Sequence, residues 1–331
     1  MLTIDVINAA IEETDFELVE KEYPDVVPDR VAHIDADFLA YMASYEKEGE
    51  INTLEDIIYR TDVMIEDKRR QAGAERAVLH LTPNTSDKGG RYEVAIQKKY
   101  QGQRKSDDKP KYLEAARLYM GDLNTSTVKG MPWDNAEADD GMSEAAWRAF
   151  YQGESAKVVI VTKDKDLRMC PGLHLNWDTG IIFDHGDDLF GEIEIIERPK
   201  VDKKTGKTRI DKKPHGWGTK WFWFQLLMGD TADHIKGCPK AMIDGKHKAC
   251  GAVGAYALLA DASTDRECLK ICMEAYKSNE YTHWETGKAV PWVDVFWSEA
   301  AMLWMQRRPG LIGDVKHWVA TQVLKQEKDP S

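Results

Sequence analysis

The order of apolar and polar positions divides this chain into short strands alternating with amphipathic helices. Val31-Ala32-His33-Ile34-Asp35 is an apolar run entering an acidic turn, which predicts a strand. A helical segment follows from about Asp37, and a longer helix opens on the capping-box spacing Thr53 to Asp56. A second apolar run, Ala77 to Leu81, leads into a polar loop ending Ser86-Asp87-Lys88-Gly89-Gly90. Helices are predicted over Tyr112 to Met120 and from about Ala136, and Val158 to Thr162 is the third clear strand. Such alternation implies an α/β fold, with a mainly parallel central sheet covered by helices. Glu192 to Pro214 reads as an inserted β-hairpin with a basic tip. The rest reads as helical: an aromatic helix Lys220 to Met228, a Gly-punctuated stretch to Gly254, and helices near Ala255 to Ala260, Thr264 to Tyr276 and Val293 to Met305. The Pro-punctuated linker YPDVVPDR sets residues 1–29 apart as an N-terminal extension. Residues 30–199 then form the core, and 200–331 the hairpin and a C-terminal helical region.

Composition narrows the class. With 331 residues, 42% of them hydrophobic, and 11 Trp, the chain can bury a substantial core and is not a disordered polymer. No window approaches the roughly 18 apolar residues of a membrane span. The N-terminal stretch lacks a basic region and a small-residue cleavage site, so a cytoplasmic location is expected. Five cysteines, an odd number, argue against a disulfide framework. The formal charge of -12 weighs against a polyanionic partner held by surface Lys and Arg. Net charge averages over faces, however. A site that gathers carboxylates around divalent cations lowers the sum while binding phosphate through metal.

The placement of the acids carries the functional signal. Ligands of open α/β sheets bind beyond the carboxyl ends of the strands. Asp35 and Asp164 fall at or just past two strand ends, with Asp166 two residues on. Glu137, Asp139 and Asp140 crowd a predicted helix N-terminus, and Asp230 and Asp233 share one helical face at i, i+3. Taken singly, each reads as readily as a cap, a turn residue or a helix-dipole complement. Together, hard oxygen donors without His or Cys favour Mg²⁺ or Mn²⁺ over zinc. Two such ions roughly 4 Å apart suit phosphodiester hydrolysis.

In this order the motifs resemble the 5′→3′ exonucleases of tailed bacteriophages, and more distantly the flap endonucleases and the 5′-nuclease domain of bacterial DNA polymerase I. By motif the resemblance covers roughly Val31 to Ala260, and the C-terminal helices look like those of the phage members. It implies a PIN-like 5′-nuclease core, a helical arch and a helix–hairpin–helix-type C-terminal region. The metal-holding acids it implies are Asp35, Asp87, Glu137, Asp139, Asp140, Asp164, Asp166, Asp230 and Asp233. The first five would hold the metal nearer the attacking water and the others the second metal. The implied activity is two-metal removal of nucleotides from 5′ ends of duplex DNA, with flap cleavage and removal of RNA primers from hybrids in phage DNA replication as further roles. The rival readings are a related metal-dependent ribonuclease and a non-catalytic DNA-structure-binding protein.

Contacts to DNA are expected from the basic stretch KKYQGQRKSDDKPK and its flanks: Arg91, Tyr92, Lys98, Lys99, Tyr100, Arg104 and Lys105. The resemblance implies a Lys one residue after Tyr100, but this chain has Gln101 there. It also implies a duplex-binding hairpin carrying a K⁺ ion, matched by Gly237, Gly251 and Gly254, although CPKAMIDGKHKAC separates its two ends. His234, just before that insertion, and Cys238, His247 and Cys250 within it form a zinc-type set. Buried thiols are the favoured reading of the two cysteines. Trp217, Trp221, Trp223 and Phe224 read as packing rather than as base-stacking residues.

Overall fold

A computed structural model describes residues 22–46, 51–103, 109–186, 188–202 and 206–325. Most of the N-terminal extension, Arg104, Lys105 and part of the hairpin tip lie outside the described residues.

The centre is a six-stranded sheet in the order β3-β2-β1-β4-β5-β6. Strand β1 (Val27–Asp35) pairs in parallel with β2 (Ala74–Leu81) and β4 (Val158–Thr162). Strands β3 (Val128–Pro132) and β5 (Leu173–Asn176) extend the parallel set, and β6 (Ile182–Asp184) closes one edge antiparallel. The chain moves outward from β1 in one direction through β2 and β3, then returns to β4 on the other side. A crevice is therefore left beyond the carboxyl ends of β1 and β4.

Local sequence starts the helices where the pattern predicts. Asp35 caps α1 (Ala36–Ser44), its Oδ1 accepting from the Phe38 amide at 3.0 Å. Thr53 and Asp56 close a reciprocal capping box on α2 (Leu54–Gln71). After the short α3 (Arg91–Val94) come α4 (Leu113–Asp122) and α5 (Ala138–Tyr151). Alternation along β4 sorts the layers: Val159 and Val161 pack with residues of α1, α2 and α4, while Ile160 packs with Met142, Ala146 and Trp147 of α5. Strand β3 carries little β-branched sequence. It lies close to the end of α4 because Gly130 has no side chain: a Cβ there would sit 2.2 Å from the Met120 carbonyl oxygen.

The remaining elements are the hairpin β7 (Ile193–Val201) and β8 (Thr208–Gly216), α6 (Gly218–Met228), the hairpin β9 (Lys240–Ile243) and β10 (Lys246–Ala249), and α7 (Ala252–Leu259). They continue with α8 (Asp265–Lys277), the two-residue strands β11 (Tyr281–Thr282) and β12 (Ala289–Val290), α9 (Trp292–Leu303) and α10 (Leu311–Trp318). The insertion is thus a β-hairpin on a two-residue turn, with Asp244 (φ 51) and Gly245 (φ 72) both left-handed. The aromatic helix α6 is buried all round, with Trp221, Phe222, Trp223 and Phe224 at most 1% exposed. One hydrophobic cluster joins it to Met142, Trp147 and Ile160, so packing continues across position 200. Between α3 and α4 the described residues form turns rather than an arch helix. Among the described residues no helix is long and apolar enough to cross a membrane.

Candidate active site

The crevice at the switch point is a cavity of about 840 Å³. Asp35, Glu137, Asp139, Asp164 and Asp233 line it, as does Asp37, which the motif series did not include. Asp35 ends β1, where its Oδ2 accepts from the Thr162 hydroxyl at 2.9 Å. Asp164 lies two residues beyond β4 in a turn that its own Oδ1 closes by accepting from the Asp166 amide at 2.8 Å. Glu137 and Asp139 enter from the start of α5, and Asp233 from the loop after α6.

Crowding leaves an electrostatic mark on these groups. Burial pushes the Asp35 and Asp164 carboxyls up to about 6, with Asp37 adding to the first and Asp233 and Asp35 to the second. Burial, then Asp164 and Asp35, raises Asp139 well above the carboxylate range, and Asp139 has no hydrogen-bond partner among the described residues. Burial also raises Glu137, against the pull of Arg91 and Lys88.

Several cations and polar groups enter the same cavity. The Lys88 ammonium donates to the Gln101 side-chain oxygen and lies 3.3 Å from Glu137 Oε1. The Gln101 amide donates to Asp233 Oδ1 at 2.9 Å, from a backbone held at φ 51. Tyr100 donates its hydroxyl to Glu137 at 2.9 Å. Arg117 pairs with Asp37 at 2.9 Å and donates to the Thr82 carbonyl, fixing one wall. Arg117 had no sequence signal beyond its charge, whereas Lys88 sits in the Gly-rich loop Ser86-Asp87-Lys88-Gly89-Gly90 that the sequence singled out for Asp87. Asp37 also had a signal, since it follows Asp35 by two residues at a helix start.

Other sequence candidates are engaged elsewhere. Asp140 forms a buried two-pronged ion pair with Arg91, at 2.7 and 2.9 Å, and also accepts from the Gln306 amide. Burial alone would raise its carboxyl, but the Arg91 guanidinium holds it below the usual range. Arg91 is fully buried and also donates to the Met302 and Trp304 carbonyls, so it is not open to a ligand. Asp87 caps the turn at Lys88–Gly90 and borders a separate cavity beside Trp133. Asp166 and Asp230 do not line the crevice, since both pair with Lys165. Three of the candidates do reach the crevice: the exposed Tyr92 and Lys99 line it with the buried Tyr100, whereas Lys98 is exposed outside that lining. Gly237 is buried and donates its amide to Glu299 at 2.7 Å. Gly251 is exposed, with nothing near its missing Cβ, and Gly254 packs on Ile243. Cys238 and Cys250 are buried free thiols, Cys238 donating to the Lys240 carbonyl oxygen at 3.1 Å, while His247 is exposed on β10 and His234 bonds the Lys99 carbonyl oxygen.

Whether the pocket suits divalent cations is decided by its donors. Oxygen ligands only, mutual repulsion and an unpartnered Asp139 fit a hard ion that would relieve the crowding. Among the described residues no three such groups already converge on one ligating point, so binding needs side-chain rotation.

Fold and site together define an α/β protein with a carboxylate-lined pocket at the switch point of a mainly parallel sheet. No known family profile and no curated protein matches the chain. Among solved structures, the bacteriophage T5 5′-exonuclease with zinc bound is 12% identical, with a TM-score of 0.47 over 83% of this chain and 88% of that one. A bacteriophage T5 protein co-crystallized with metal ions is 14% identical, with a TM-score of 0.45 over 87% and 90%. A flap endonuclease variant of the same phage, in a pseudo-enzyme–product complex with DNA and metal ions, is 12% identical, with a TM-score of 0.49 over 89% and 94%.

Proposed function

We propose that this chain is a divalent-metal-dependent 5′-nuclease that hydrolyses phosphodiesters at 5′ ends of duplex DNA. The observation that carries this reading is the convergence of Asp35, Glu137, Asp139, Asp164 and Asp233, distant in sequence, on one cavity that also holds Lys88. Divalent ions held by these carboxylates would supply an activated water and charge neutralisation at the leaving oxygen. Asp139, with no hydrogen-bond partner among the described residues, and Asp164 and Asp35, whose charges bear on it, are the first candidates to hold an ion. Lys88, steadied by Gln101 and Glu137, presents an ammonium to a substrate phosphate. Tyr100 and Thr162 hold Glu137 and Asp35 in place through their hydroxyls. The exposed Gly251 at the N-terminus of α7 and the exposed Lys98 would contact the duplex outside the crevice, and Tyr92 and Lys99, which line it, would contact the duplex within it.

The test compares wild type with Asp164→Ala on a recessed-end duplex labelled at its 5′ end, in Mg²⁺ and in EDTA. Short labelled products are expected from wild type with Mg²⁺ only, and none from the variant. Wild type that binds the duplex without cutting it, in Mg²⁺ or Mn²⁺, defeats the assignment for DNA. An RNA:DNA hybrid in the same assay then separates a ribonuclease from a binding protein.

A further inference from the structure

The hairpin β7–β8 projects from the body: its base is pinned where Gly216 meets Trp221, and every described residue from Glu197 to Ile210 is exposed. Directly paired residues of an antiparallel ladder share a face, and successive residues alternate. The register therefore sorts the ribbon into two unlike sides. One side carries the pairs Ile196–Lys213, Arg198–Asp211 and Lys200–Arg209 and, beyond the last ladder pair, Asp202 and Lys207, joined through their backbones: five cations against two acids. The other carries the ion-paired Glu197 and Lys212 and then only Pro199, Ile210, Val201 and Thr208.

The basic side is electrostatically unresolved. Lys200 and Arg209 lie directly opposite each other, a like-charge pair that weakens a ladder. Neither they nor Arg198 and Lys213 form an ion pair among the described residues. The chain as a whole is acid-rich, with a formal charge of -12, so this exposed cationic strip contrasts with the rest of the molecule. The base of the ribbon packs against α6 and α7, the helices that flank the loop bearing Asp233 and the exposed Gly251.

From this geometry we infer that the basic side of the β7–β8 ribbon is a docking strip for the phosphate backbone of duplex nucleic acid, outside the carboxylate crevice. Cations on one strand of the strip recur about every 7 Å. Phosphates of one B-form strand advance about 3.4 Å each along the axis while also turning around it, so consecutive phosphates, further apart through space than the axial rise, match the spacing. The inference rests on the nuclease reading for the identity of the duplex, and extends it to a second contact away from the scissile bond. Contacts of this kind fix position without reading sequence.

The test measures binding of a fluorescein-labelled duplex in EDTA, at roughly 50 to 200 mM salt. It uses wild type, the double variant Lys200→Gln/Arg209→Gln, and Lys212→Glu. The last makes the same change in net charge on the opposite side. All three substituted positions are exposed, and thermal melts confirm folding. The double variant is expected to bind more weakly, with a log–log salt slope shallower by about 1.8, or about 0.9 per lost phosphate contact. Lys212→Glu is expected to keep the wild-type slope. Equal slopes in all three proteins, equal losses in both variants, or no duplex binding by wild type each overturn the strip. Cleavage in Mg²⁺ is scored separately. Wild type that shows the ribbon-dependent slope but never cuts defeats only the nuclease reading. Wild type that cuts, beside a double variant with an unchanged slope, defeats only the strip.

Discussion

Glu299 shows how a single buried carboxyl is tied to the backbone near the candidate site. Its oxygens accept from the Gly237 amide, the Tyr276 hydroxyl at 3.0 Å and the Gln97 amide at 2.5 Å. Burial outweighs these bonds and pushes the carboxyl up to about 7. A folded value raised above the unfolded one means that the fold prefers the protonated acid. The stability it contributes is complete below about 4.5, the unfolded value, and is lost as pH rises through about 7. The total is of order 3 kcal/mol. Glu299→Gln is expected to flatten the fall in melting temperature between those pH values. A variant whose melting curve tracks wild type at every pH would remove Glu299 as the cause. Much of the candidate site was legible at this scale, because acids just past strand ends must meet at a switch point. Sequence order could not show which oxygens were already claimed. Arg91 takes both oxygens of Asp140, and Lys165 takes Asp166 and Asp230, through partners distant in sequence.

Among the elements, those with strong local chemistry were readable and those held by packing were not. The capping box at Thr53, the apolar run of β4 and the basic hairpin appear where the pattern places them. Strands β3, β5 and β6 lack a β-branched run of any length and exist because the sheet edge offers them partners. The β9–β10 hairpin did carry a signal, Asp244-Gly245 at a two-residue turn. At Gly245 a Cβ would meet no atom within 4 Å, so Gly245→Ala tests backbone conformation alone. The expected cost at φ 72 is roughly 1 to 2 kcal/mol, measured by denaturant unfolding. An unchanged midpoint would mean that the turn is not held left-handed in solution.

For the molecule as a whole, the crowded crevice predicts a stability that depends on cations. In EDTA the repulsion among Asp35, Asp139 and Asp164 goes uncompensated. Saturating Mg²⁺ or Mn²⁺ should then raise the melting temperature. The gain is about 2.7 kcal/mol at a free-ion concentration of about 100 times the dissociation constant. Asp139→Asn should melt higher than wild type in EDTA and gain less from the ion. Equal gains in both proteins would place the ion elsewhere.

The buried Arg91 has a consequence for how the molecule is made. Its partners include the Met302 and Trp304 carbonyls, 211 and 213 residues further along the chain. At ribosomal rates of about 5 to 20 residues per second, Arg91 waits roughly 10 to 40 s for them to be synthesised. Until then its charge has only part of its final shell, and the layer beneath α5 stays open. The Arg91 guanidinium that lies 3.3 Å from Glu137 Oε2 is therefore set late in synthesis. A nascent chain that has passed Asp233 holds every acid that lines the crevice while Arg91, beside Glu137, still lacks two of the carbonyls that fix it.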